Sequence, residues 1–293
     1  MCTSQKIRSE MMKRIALIND LSGFGKCSLT AALPVISVMG IQACPLPTAI
    51  LTAQTGFEEY YCDDFTDRMD MFTQQWKKMG VSFDGIYSGY LEGAQQIEKV
   101  LRFLDEFQTE ENIYLADPVM GDHGKPYTMH SPQLVDGMKQ LMKRADALTP
   151  NLTELCMLAD VEYKEMVSHC REENYVNQIE EVARNLIRQS ERTKYIVVTG
   201  IIREKNGKEY IGNLAVSEQE SFYIENPYTG MGFSGTGDLF ASVISASLVK
   251  GLSIRKAMEK ATYFLQEAIE EASAEQIPAV HGVYYEKYLS RLL

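Results

Sequence analysis

Six short segments rich in apolar and β-branched residues punctuate the first two thirds of the chain, at 14–18, 41–44, 83–88, 112–116, 147–149 and 195–199. Helix-forming stretches separate them, at 28–39, 63–79, 93–107, 131–142, 178–190 and from Pro150 onward. Alternation of this kind predicts βα repeats, and hence a mostly parallel sheet covered on both faces, an α/β/α sandwich. Past Gly200 the texture changes. Segments 201–204 and 209–216 flank Asn206-Gly207 and predict a hairpin with a type I′ turn, followed by a strand at 221–225. These are expected as antiparallel edge strands. Helices at 237–249, 253–273 and 284–293 close the chain. Within 63–79, Phe65, Met69, Phe72, Trp76 and Met79 fall on one helical stripe and are expected in the core. Pro34 kinks or interrupts the first helix, Gly40 ends it, and Pro45-Leu46-Pro47 reads as a turn.

The stretch Gly232-Phe233-Ser234-Gly235-Thr236-Gly237-Asp238 precedes an apolar run that reads as a buried helix ending near Gly251. Small residues permit a tight turn and close approach of backbone to a ligand. The opening turn of a helix leaves N–H groups without internal acceptors, at the positive end of the helix dipole, which makes an anion site. Asp238 stands in that site. It reads either as a base beside a phosphate, poised to take a proton from an attacking alcohol, or as a helix cap. Gly230 to Gly235 matches G-x-G-x-x-G, but it comes late in the chain, and the region where a ribose-binding acid belongs is helical. The Gly-Lys pairs at 25–26, 124–125 and 207–208 lack the earlier glycine of a Walker A loop.

Charge narrows the partners. The 293 residues carry 29 Lys and Arg against 40 Asp and Glu, a net charge of −11, which argues against nucleic acid or an anionic membrane as partner. An anionic small molecule stays possible, because a local cradle or bound Mg²⁺ overrides the global field. The six cysteines form no CxxC pair and read as reduced packing residues, Cys27 among them. The first twelve residues lack the apolar centre of a signal peptide, and no apolar run approaches membrane-spanning length. A soluble cytoplasmic protein is expected. It is expected to be a single domain over 1–293, with 1–12 outside the core.

Predicted strand ends deliver Asp20, Asp117, Asp122, Asn151, Glu154 and Asp238, all at one edge of one sheet. Asn151 and Glu154 taken singly read equally well as helix caps. Together these residues suggest a cleft lined with hard oxygen ligands suited to Mg²⁺. The second small-residue segment, 48–56, is expected to face the same cleft. An anion cradle and a metal addressing the same phosphates is the arrangement that phosphoryl transfer needs. The scattered histidines 123, 130, 169 and 281 suggest no metal pair. Residues 123–127, His-Gly-Lys-Pro-Tyr, read as part of a flap over 119–130 or as an ordinary surface loop.

Four motifs occur in a characteristic order: Asp-Pro-Val-Met-Gly-Asp at 117–122, Thr-Pro-Asn-x-x-Glu at 149–154, Val-Val-Thr-Gly at 197–200 and Gly-Thr-Gly-Asp at 235–238. In these the chain resembles the ribokinase superfamily and, within it, the pyridoxal kinases, over roughly residues 14–250. The resemblance implies a ribokinase-like three-layer α/β/α sandwich. It also implies ATP-dependent transfer to the 5′-hydroxymethyl group of a vitamin B6 vitamer. Asp238 is then the base, and the backbone of Gly235, Thr236 and Gly237 the anion hole. Asp117, Asn151, Glu154, Thr199, Gly200, Phe233, Gly235 and Gly237 would meet the nucleotide. Asp117, Asp122 and Glu154 would serve Mg²⁺, directly or through water. Asp20, Ser22, Thr55 and Tyr90 fall on the acceptor side. A homodimer is implied, and K⁺ assists in many relatives.

The acceptor side departs from the pattern. Pyridoxal kinases commonly carry Ser-His in the first loop, where this chain has Asp20-Leu21. An aspartate facing the pyridine nitrogen would favour a protonated ring; the alternative is a turn or cap residue. Rival readings are a hydroxymethylpyrimidine kinase of the same superfamily, a sugar or nucleoside kinase, and a catalytically silent nucleotide-binding regulator. Hydroxymethylpyrimidine kinases typically have Cys where this chain has Asp238. Sugar kinases carry an early Gly-Gly motif that is not found here.

Overall fold

The structure is a computed structural model that describes residues 12–127 and 131–293; the expected N-terminal extension, His130 and the end of the 119–130 segment lie wholly or largely outside them. Strands and helices alternate as β1 (Arg14–Ser22), α1 (Ser28–Val38), β2 (Gln42–Leu51), β3 (Cys62–Asp64), α2 (Thr66–Lys78), β4 (Gly85–Ser88), α3 (Ala94–Phe107), β5 (Ile113–Ala116), β6 (Gly121–Asp122), β7 (Lys125–Pro126), α4 (Pro132–Arg144), β8 (Ala147–Leu148), α5 (Leu152–Ala159), α6 (Tyr163–Ser168) and α7 (Tyr175–Arg188). The chain continues through β9 (Tyr195–Lys205), β10 (Lys208–Val216), β11 (Ser221–Pro227), α8 (Thr236–Val249) and α9 (Ile254–Ala274), ending in two 3₁₀ segments, Ala279–His281 and Tyr285–Leu292.

Nine strands form one sheet in the order β11-β10-β9-β8-β5-β4-β1-β2-β3. The interior pairings from β9 to β2 are parallel, and β10, β11 and β3 run antiparallel at the two edges. Side chains alternate between two cores, as a pleated strand covered on both faces requires. Ile15 and Leu17 join one core with α1, α8 and α9, while Ala16 and Ile18 join the other with α2 to α7. Leu115, Ala147 and Val197 repeat the first pattern; Tyr114, Leu148, Ile196 and Val198 repeat the second. The result is a three-layer α/β/α sandwich.

Strand order reverses at β1, which pairs with β2 on one side and β4 on the other. The crevice at the carboxyl ends of strands beside such a switch point is where open α/β sheets hold ligands.

Several elements differ from expectation. Pro45 and Pro47 lie inside β2 rather than in a turn. Their stretch pairs with β1, and β3 covers only Ala49 to Leu51 on the outer side, so the missing N–H groups sit on an open edge where proline is tolerated. β9 does not stop at Gly200 but passes through it to Lys205; Gly200 takes φ +69° next to an irregularity in the β9–β10 register. The stripe on α2 is only partly a core feature: Met69 is buried, Phe72 and Trp76 are half-buried, and Met79, past the last turn, is 64% exposed. Segment 285–292 is 3₁₀ rather than α. Residues 121–126 form a short hairpin, β6–β7, turned through His123 and Gly124, both at positive φ. Asn206 and Gly207 are both at positive φ, as the type I′ reading requires. No helix among the described residues is long and apolar enough to cross a membrane.

Candidate active site

A cavity of about 590 Å³ opens at the carboxyl edge of the sheet. Its walls include Asp117, Asp122, Asn151, Glu154, Thr199, Gly200 and the continuous run Phe233 to Asp238. Twelve residues from the motifs singled out in the sequence, brought by β5, the β6–β7 hairpin, the β8–α5 junction, β9 and one late loop, therefore share one chamber.

The late loop is shaped by Gly235, which takes φ +80° as the N-terminal cap of α8. A Cβ at this position would overlap the carbonyl oxygen of Lys26 in the first loop, so no other residue fits. Gly237 faces open space. The N–H groups of Gly237 and Asp238, in the first turn of α8, have no intrahelical acceptor, and Gly237 brings no side chain that would block an anion, whereas the Thr236 N–H donates to Phe233 O at 3.5 Å.

Asp238 follows in the first turn of α8. Its Oδ1 accepts from Asn19 Nδ2 at 3.1 Å, and the carboxylate also accepts from the Ser28 backbone N–H. Burial outweighs these bonds and, with repulsion from Asp20, pushes the carboxyl up to about 6. Such a group is ionised at neutral pH yet basic enough to accept a proton.

Asn19 was not distinguished by sequence from its neighbours in the first loop. It occupies the switch point: Oδ1 accepts the Tyr90 N–H at 2.8 Å and the Asp20 N–H at 3.0 Å, while Nδ2 serves Asp238. A Cβ on Gly89 would run into this amide. The one available signal is a polar residue directly following an apolar strand; in the structure β1 runs four residues beyond the expected end at Ile18 and buries it.

Across the cavity, Asp117 is 8% exposed and its Oδ1 accepts from Thr149 Oγ1 at 2.9 Å. Burial first, then the Asp238 charge, holds its carboxyl well above the usual range. Asn151 and Glu154 do form a capping box: Asn151 Oδ1 accepts the Glu154 N–H at 3.0 Å and Glu154 Oε2 accepts the Asn151 N–H at 2.9 Å. Glu154 Oε1 accepts the Met120 N–H at 3.1 Å, and Asn151 Nδ2 donates to Gly121 O at 2.8 Å. The cap and cavity-wall readings therefore both hold. Glu154, 4% exposed, has each oxygen engaged by a backbone N–H. Burial followed by the Asp117 charge raises its carboxyl despite these bonds. The Asp122 side chain is about half exposed at the base of the hairpin.

Among the described residues, five carboxylates (Asp117, Asp122, Glu154, Asp238 and Glu270) line the cavity, with no lysine or arginine. Asp117, Asp122 and Glu154 do not converge into a three-ligand cluster. The donor set suits a hard cation held by one or two carboxylates and otherwise by water and phosphate oxygen, the usual habit of Mg²⁺.

The acceptor-side candidates lie apart from these walls. Asp20 is 6% exposed, and its Oδ2 accepts from Ser22 Oγ at 2.9 Å. Burial raises its carboxyl against hydroxyl bonds from Ser28 and Ser22. Tyr90 is half-buried and Thr55 is exposed. Burial and the charges of Glu92 and Asp20 push the Tyr90 phenol up. Cys27 is buried beside Asp238 and Asp20, its thiol pushed up to about 12 by burial and by those charges, so it is a packing residue rather than a nucleophile.

Residues 25–283 match the family model described as phosphomethylpyrimidine kinase. The chain belongs to that family. A Bacteroides thetaiotaomicron protein, described as a phosphomethylpyrimidine kinase, has been solved in two crystal forms. One is 35% identical with a TM-score of 0.89 over 97% of this chain and 95% of its own. The other, containing pyridoxal, is 34% identical with a TM-score of 0.87 over 96% of each. A pyridoxine/pyridoxal/pyridoxamine kinase from Bordetella avium is 24% identical over 84% of this chain and 81% of its own length. The pyridoxal kinase of Leishmania donovani, solved with ADP and pyridoxamine, shares the fold at 18% identity, with a TM-score of 0.80 over 96% of this chain and 95% of its own.

Proposed function

We propose that this protein is an ATP-dependent pyridoxal kinase that phosphorylates the 5′-hydroxymethyl group of a B6 vitamer, within a single domain. The observation that carries the reading is Asp238 at the mouth of a helix N-terminus, raised to about 6 and sharing one cavity with Asp117, Asp122, Asn151 and Glu154. Kinship with a protein that binds pyridoxal supports the choice of acceptor.

The vitamer's hydroxyl oxygen attacks the γ-phosphorus, its proton passes to the Asp238 carboxylate, the bond between phosphorus and the bridging β–γ oxygen breaks, and ADP leaves. The transition state is loose, so Asp238 mainly aligns the hydroxyl and takes the proton late. The backbone of Gly235, Thr236 and Gly237 holds the transferring oxygens, already oriented before the reaction begins. Asn151, Thr199, Gly200 and Phe233 line the nucleotide side. Asp117, Asp122 and Glu154 would hold Mg²⁺, directly or through water. The ion would supply the positive charge that the cavity walls lack. On the acceptor side Asp20, Ser22, Thr55 and Tyr90 are assigned to the ring, with Asp20 favouring its protonated form. An unchanged KM for every vitamer in Asp20→Ala would remove that assignment. A homodimer, K⁺ assistance and a cytoplasmic setting belong to the same reading.

The test is ATP turnover in the presence of pyridoxal, pyridoxine, pyridoxamine or hydroxymethylpyrimidine, each added singly. Turnover is expected with at least one vitamer. The family description supports a second reading, with hydroxymethylpyrimidine as acceptor. Turnover confined to that compound would replace the first reading, and turnover with none would end both.

A further inference from the structure

Gln54 takes no part in the chemistry above, yet four segments meet on it. It follows β2 and is 7% exposed. Nε2 donates to Val280 O at 2.9 Å and to Ser234 Oγ at 3.3 Å; Oε1 accepts the Gly56 N–H at 2.8 Å; its own N–H donates to Phe24 O at 2.9 Å. Gly25, at φ +115°, lies so close that a Cβ there would be 2.6 Å from Gln54 Cγ. Ser234 is bound a second time to the same place, its N–H donating to Ala279 O at 3.0 Å. Above this knot the rings of Phe24, Phe57 and His281 pack with centroids 5.4 to 5.8 Å apart.

The geometry has a direction. Gln54 adjoins Thr55 and Gly23 follows Ser22, both assigned above to the acceptor, and Ser234 immediately precedes the glycine that shapes the anion turn. A buried amide is satisfied only while all its partners stay in place, and leaving it unpaired costs its desolvation. We infer that Gln54 is a positioning residue that couples the acceptor-side loops to the anion turn, so that acceptor binding sets the turn that grips the phosphates. The inference rests on the kinase reading for the identity of the two ligands.

Coupling is reciprocal and measurable as the ratio of affinities with and without the second ligand. Calorimetry with a non-hydrolysable ATP analogue plus Mg²⁺, with and without saturating pyridoxal, should give a ratio of at least ~5 for the wild-type protein, the low end of common allosteric coupling. Gln54→Met keeps the volume and removes both polar ends; Gln54→Glu keeps the Gly56 bond and removes both donated bonds. Each should bring the ratio to about 1 and lower kcat, with single-ligand affinities nearly unchanged, a split that general loosening would not give. A second readout is needed if a variant fails to fold. In wild-type protein, pyridoxal alone should slow deuterium uptake over 232–237. A wild-type ratio of 1, a ratio unchanged in a folded variant, or no pyridoxal effect on 232–237 overturns the inference. Absence of pyridoxal binding altogether would strike the kinase reading instead.

Discussion

Asp238 owes its basicity to being buried, while hydrogen bonds from Asn19 and Ser28 pull the other way. Replacing it by Asn or Ala should lower kcat by at least ~10²-fold, the low end for a general base, with a smaller change in ATP affinity; steady-state kinetics and nucleotide titration check both. The acid limb of kcat/KM against pH should fall near 6. The folded protein holds this proton more tightly than the unfolded chain. The group's contribution to stability is therefore full below 3.8 and declines as pH rises through about 6, the interval over which activity rises. Asn19→Ala removes a bond to the charged form. A hydrogen bond to a charged group is worth roughly 1.5–3 kcal/mol, so the limb should move up by about one unit or more. At this scale the sequence was informative where a residue's meaning is local. Asp117, Asn151 and Asp238 stand at strand or helix ends recognisable from their neighbours. Asn19 and Gln54 were opaque because the partners that tie them to the late loop and its neighbours lie about 180 to 230 residues away and polarity alone does not reveal them.

At the scale of elements, α5 shows one carboxylate with two duties. Glu154 caps its own helix and also holds the Met120 N–H, which fixes the entry to the β6–β7 hairpin. Glu154→Ala leaves two buried N–H groups unpaired, at about 1–3 kcal/mol each. The melting temperature should drop by several degrees, and kcat/KM should fall with it; a scanning calorimeter beside an activity assay separates the two. Most strands and helices were readable from periodicity and punctuation. The exceptions share a cause, since each broke a local rule that tertiary context relaxed. Prolines persist in β2 because much of its outer edge lacks a partner. Gly200 does not end β9, because β10 pairs on both sides of it. The β6–β7 turn uses His123 at positive φ, a weaker hairpin signal than the Asn-Gly pair at 206–207.

Over the whole molecule, the net charge of −11 has a counterpart inside the cavity, where five carboxyl groups, Asp117 and Glu154 among them raised by burial, stand without a lysine or arginine among the described residues. Backbone dipoles alone would have to hold a polyphosphate against that field. Chelating divalent cations should therefore weaken ATP binding by at least ~10²-fold, or about 2.7 kcal/mol, and restoring Mg²⁺ should recover it; equilibrium dialysis with and without chelator measures the change. The sandwich itself was legible from the order of elements. The cavity's charge balance was not, because which acids face it depends on packing between distant segments.

The glycine at 235 touches the backbone of residue 26, so the first loop of the protein and its final third are machined to one another. No stretch of chain that lacks either residue 26 or residue 235 can therefore assemble this turn. The exposed Asn206-Gly207 turn offers a place to cut. Two separately produced pieces divided there would each be inert, and enzyme would return only on mixing.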